Sequence, residues 1–71
     1  MSLGTPDPLS ERLASELGFP YDDVDGALAI LAGAGADSEL AERMLRRARK
    51  SGARSATNAA ELWAVQNAAR R

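Results

Sequence analysis

The sequence predicts an all-α fold, on three observations. Apolar residues recur at three- and four-residue spacings through four stretches of the chain, the period of a helix with one buried face. No stretch alternates strictly between apolar and polar residues, and the β-branched residues are few: two Val, one Ile and two Thr. Short breaks rich in Gly, Pro and Asp separate the periodic stretches. At 71 residues the chain makes one domain, spanning 1–71. Fifteen residues are alanine, which suits a helix but buries little area. The expectation is therefore a set of closely approaching helices around a thin core of larger apolar residues.

The first helix is announced by Asp7-Pro8, an acceptor for free helix N–H groups followed by a residue already fixed at helical φ. Leu9, Leu13 and Leu17 then share one face with Ala14, and Gly18 is a left-handed stop, so the helix runs over about 8–17. After Phe19-Pro20, Asp22 or Asp23 caps a second helix with Val24, Ala27, Leu28 and Leu31 on its inner face. Gly26 within it costs about 1 kcal/mol relative to Ala unless a neighbouring helix comes close.

Gly33-Ala34-Gly35-Ala36 breaks the pattern, and Asp37 caps a third helix. Leu40, Ala41, Met44, Leu45 and Ala48 face inward along it. Arg46, Arg47, Arg49 and Lys50 fall in its last turns, where cations complement the helix dipole, and Gly52 ends it. Asn58-Ala59-Ala60-Glu61 resembles a capping box, opening a fourth helix over about 58–70. Leu62, Trp63, Gln66 and Ala69 are expected on its inner side, with Val65 near the edge.

The chain contains no Cys and no His. Thiolate chemistry, disulfides, the usual general base and the commonest metal ligand are thereby missing. Asp22, Asp23, Asp25 and Gly26 resemble a calcium loop only briefly. In that register Tyr21 and Ala32 would occupy the first and twelfth ligand positions, which fails at both ends. Gly33-Ala34-Gly35 follows no strand and is no phosphate loop. These features point to a non-catalytic domain without cofactor or metal. No run reaches the ~20 apolar residues of a membrane span, and no basic-then-apolar leader opens the chain, so an intracellular, cytoplasmic setting is expected.

Leu17-Gly18-Phe19, followed by Ala27-Leu28, resembles the turn and helix-2 pair of the ubiquitin-associated (UBA) domain and its CUE-like relatives. Ala41 and Leu45 are spaced as in that family's closing helix. The resemblance covers about residues 9–48 and implies a three-helix UBA-like bundle, with the fourth helix as an addition. About three extra residues lie between helices 2 and 3, and Leu45-Arg46 stands where many members carry Leu-Leu. Leu17-Gly18-Phe19, Val24, Leu28 and Leu31 also resemble the small N-terminal domain of Regnase-type zinc-finger ribonucleases, itself UBA-like. Either resemblance implies an interaction or regulatory domain, with ubiquitin or a ubiquitin-like protein as one implied partner.

Two candidate surfaces emerge. Leu17, Gly18 and Phe19, opposite Met44 and Leu45, form an apolar patch for a protein partner if they are not simply core. Six of the nine basic residues lie between Arg43 and Arg54, and Arg43, Arg46, Arg47 and Lys50 share a helical stripe fit for phosphates. Against nucleic acid stand the sequence pI of about 5.2 and the scarcity of aromatic residues for stacking. Self-association is a third possibility, with Trp63 buried against a second copy.

Overall fold

A computed structural model describes residues 8–69. Four helices follow one another: α1 Pro8–Leu17, α2 Tyr21–Gly33, α3 Ser38–Lys50 and α4 Ala56–Ala69. No strand occurs among the described residues. No helix among them is long and apolar enough to cross a membrane.

Each helix end has a local cause. Gly18 adopts φ 79° and its N–H donates to the Ala14 carbonyl at 2.9 Å, a single bond that closes α1 in the left-handed manner. The Gly33–Ala36 segment is more ordered than a flexible break. Ala36 N–H donates to Leu31 O and Gly35 N–H to Ala32 O, the paired bonds of a Schellman stop. The α3 end repeats the arrangement, with Ala53 N–H on Ala48 O and Gly52 N–H on Arg49 O. At the start of α3 the Asp37 carboxylate accepts from Leu40 N–H at 2.8 Å, as the sequence predicts. Asp7, the expected cap of α1, lies outside the described residues.

Helix α2 is central. It packs against all three other helices, most extensively against α4. The core gathers Leu13, Phe19, Val24, Ala27, Leu31, Leu45 and several alanines, with Leu9, Leu28, Met44 and Trp63 packed partly buried around it. Ser10 is fully buried between α1 and α2, and its hydroxyl donates to Asp25 Oδ1 at 3.1 Å. That bond offsets the cost of burying a hydroxyl and ties the two helices together.

The α2–α4 junction corrects two expectations. Neither Asp22 nor Asp23 caps α2, whose start follows Pro20 with no side-chain cap. Asp23 instead reaches across to α4. Its carboxylate accepts from Ala56 N–H at 2.6 Å, Thr57 N–H at 3.1 Å, the Thr57 hydroxyl at 2.7 Å and the Ser55 hydroxyl at 3.0 Å. The fourth helix consequently begins two residues before Asn58, and Ser55 Oγ accepts the Asn58 N–H at 3.3 Å. Helix N-termini leave four N–H groups without intrahelical partners, and here a carboxylate from another helix takes two of them.

The side that α4 turns inward also differs from expectation. Ala56 and Ala60 are fully buried, whereas Leu62 is 60% exposed and Val65 68%. Gln66 is exposed and Trp63 half-buried; the Ala69 side chain lies outside the described residues. Small residues face one another at this junction. A Cβ added at Gly26 of α2 would meet Thr57 Oγ1 of α4 at 3.5 Å, an ordinary contact. α4 buries Ala56 and Ala60 and makes the most extensive packing of any helix against α2, so it is an integral helix of the bundle and no appendage.

Burial of the Asp23 carboxylate works against its ionisation. The hydrogen bonds from Thr57, Ala56 and Ser55 outweigh that effect and lower its pKa below the ordinary 3.8. A depressed carboxylate contributes stability that is present above 3.8 and disappears as pH falls through the lower folded value. Asp23→Ala is expected to cost about 2–3 kcal/mol, from the lost cap and its charged hydrogen bonds. Urea denaturation of both proteins from pH 7 to pH 2 checks this: the difference should shrink as the wild-type carboxylate protonates. A difference that stays constant with pH would contradict the assignment.

Candidate functional site

The residues of the expected apolar patch separate in the structure. Phe19 is 6% exposed and Leu45 fully buried, both within the core. Leu17 and Met44 are half-buried, and Gly18 is exposed. Phe19 turns inward because the left-handed corner at Gly18 directs the chain back over the bundle, and Arg49 covers its ring at 5.7 Å from the centroid. As folded, therefore, Phe19 and Leu45 belong to the core and not to an open surface.

The open apolar surface lies elsewhere. A groove of about 680 Å³ runs between the C-terminal half of α3 and the outer side of α4. Met44, Ala48, Ala59, Leu62 and Trp63 provide its apolar lining, and Arg47 and Arg54 its cations. Beside it, Val65 stands one helical turn from Leu62 on the solvent side of α4. Leu62 and Val65 are the large hydrophobic side chains that stand exposed among the described residues. Contiguous exposed apolar surface of this sort marks interaction sites on otherwise soluble folds.

The basic stripe also divides. Arg46 pairs with Glu16 of α1 at 2.5 Å and with Glu42 at 2.9 Å, and Arg12 joins the group through Glu42 at 2.9 Å. The hydrogen bond from Arg46 is the largest influence lowering the Glu42 pKa, and the bond to Glu16 is the largest raising that of Arg46. These exposed pairs are screened by solvent, and they orient α3 against α1 more than they hold it. Arg49 Nε donates to the Leu17 carbonyl at 2.7 Å, satisfying an α1 carbonyl near its C-terminus. The side chains of Arg43, Arg47, Lys50 and Arg54 make no ion pair or hydrogen bond among the described residues. Of the four residues expected on the phosphate-binding stripe, Arg43, Arg47 and Lys50 thus stay free of partners there, and Arg46 does not.

No group of three or more potential metal ligands is assembled among the described residues. Asp23, part of the calcium-like run, is occupied by the N-terminus of α4. A smaller hollow lies near Leu9, Leu28 and Ala41, with Asp25 and Asp37 at its edge. Both of those acids already accept hydrogen bonds, from Ser10 and Leu40.

Comparisons with protein-family models, curated proteins and solved structures return no match.

The burial pattern separates two leucines of similar sequence context. Leu45→Ala is expected to cost about 2–5 kcal/mol, because it empties a closed site in the core. Leu62→Ala should change stability by less than about 0.5 kcal/mol, as a surface substitution does. Thermal or urea unfolding of the two variants checks the contrast. Equal losses would place Leu62 in the core and remove the groove's open wall.

Proposed function

We propose that this domain is a non-catalytic protein-interaction module that receives its partner along the α3–α4 groove. One observation supports this most: Leu62 and Val65 stay in water beside an apolar groove, while the same helix buries only small alanines. Full burial of a side chain of this size is worth roughly 1.5–3 kcal/mol, and Leu62 and Val65, 60% and 68% exposed, leave much of that gain for a docked partner. Met44 and Trp63 suit such a surface, one by its flexible thioether and the other by its large apolar ring.

A UBA/CUE-like relationship is the narrower form of this reading. It is supported by the Leu17-Gly18-Phe19 corner, by Ala27-Leu28 and by the order α1–α2–α3. In that form the residues available to ubiquitin are Leu17, Gly18 and Met44, since Phe19 and Leu45 are buried. The competing reading is nucleic-acid binding. It is favoured by Arg43, Arg47, Lys50 and Arg54, cations without partners among the described residues. Half-burial of Trp63 and the pI of about 5.2 weigh against it. A regulatory or dimerising role uses the same α4 surface with a second copy as partner.

Amide chemical shifts of the labelled domain separate these readings. At about 0.15 M salt a short single-stranded RNA should produce no saturable shift. Salt-sensitive shifts centred on Arg43, Arg47 and Lys50 would replace the protein partner by nucleic acid. Ubiquitin tests the narrower form: shifts at Leu17, Gly18 and Met44 support it, and an unchanged spectrum at millimolar ubiquitin removes ubiquitin as the partner.

A further inference from the structure

We infer that the partner seated in the α3–α4 groove is an amphipathic helix whose apolar stripe is bordered by acidic side chains. The inference rests on the protein-interaction reading and adds the chemistry of the partner. Its first support is shape. The α4 wall runs from Asn58 to Gln66, eight residues of rise and about 12 Å, which is two helical turns. That length admits apolar anchors at i, i+3 or i+4, and i+7 of a docked helix, a recurring way in which grooves take helices. The walls are themselves helices, and their described ends are closed by caps and Schellman bonds, so no strand edge is offered for an extended peptide.

The second support is charge. Among the described residues the cations fall into two groups. Arg12, Arg46 and Arg49 are engaged on the α1 side, by Glu16, Glu42 and the Leu17 carbonyl. Arg47 and Arg54 line the groove, and Arg43 and Lys50 stand four residues before and three after Arg47 along α3. None of these four has a carboxylate partner among the described residues, and Glu61 is the sole acid in the α4 sequence. An apolar groove lined by two such cations, Arg47 and Arg54, is complementary to an apolar stripe bordered by carboxylates. A second copy of this chain fits less well, because it would bring the same two cations to the same groove.

Three synthetic peptides of about 14 residues test the inference, each with Leu at i, i+4, i+7 and i+11. Glu, Gln or Lys fills the flanking positions of each peptide in turn. Trp63, the sole tryptophan, reports entry into the groove by its emission, and amide shifts locate it. The Glu peptide should bind with a blue shift of Trp63 and with shifts at Met44, Ala48 and Leu62. It should bind less tightly as salt rises. Arg47→Gln with Arg54→Gln should weaken it roughly fivefold while leaving the helical circular dichroism unchanged.

Equal or tighter binding of the Gln or Lys peptide would overturn the acidic partner and leave a protein-binding groove. Absence of binding by all three would overturn the helical occupant. Sedimentation at dimer mass, abolished by Leu62→Asp, would assign the groove to a second copy. Binding of single-stranded RNA in the groove with no peptide bound would overturn both this inference and the protein-interaction reading beneath it.

Discussion

The carboxylate of Asp23 is the contact on which the arrangement of this small bundle turns. It lies in the first turn of α2 and accepts two backbone N–H groups and two hydroxyls at the start of α4. It therefore stands near the positive ends of two helix dipoles at once, a position that favours its charged form. The contact fixes where α4 begins and how it is rotated about its axis. With that rotation set, Ala56 and Ala60 meet the small-residue side of α2, and Leu62 and Val65 are left facing water. The apolar groove is thus a consequence of a polar contact at the other side of the helix.

Much of the fold was legible locally. The α1 limits follow from Pro8 and Gly18, the start of α3 from Asp37, and the ends of α2 and α3 from Gly35 and Gly52. Each of those features is decided within a few residues of chain. The cap of α4 is different, because Asp23 and its partners are separated by 32–34 residues. Read locally, Asp23 looks like a cap for its own helix, and Asn58 looks like the cap of the next. The inward side of α4 was missed for a related reason. Periodicity weights large residues, and this junction buries small ones, Ala56 and Ala60. The four-residue spacing of Ala56, Ala60 and Ala64 was the available signal.

The candidate surface was legible only in outline. Met44, read as a patch residue if not core, is half-buried, and the cations Arg43, Arg47 and Lys50 are exposed. Phe19 and Leu45 were read as candidates for an open patch and are buried, since a thin core needs each large side chain that the first three helices provide. Arg46 and Arg49 read as part of a helix end that pairs with acids of helices 1 and 2; Arg46 does pair with Glu16 of α1, while Arg49 takes the Leu17 carbonyl instead of an acid. Of the cations that remain unpaired among the described residues, Arg47 and Arg54 line the groove that Leu62 also lines. The same packing that consumes part of the charge thereby defines the chemistry of the surface left over.

The most direct measurement is a pH titration of the labelled protein that follows the Asp23 carboxyl carbon together with the Ala56 and Thr57 amides. All three should move along one curve with a midpoint below 3.8, because a single ionisation governs the carboxylate and its donors. A midpoint at or above that value, or amides that ignore the titration of Asp23, would mean that α4 is held in place by something else.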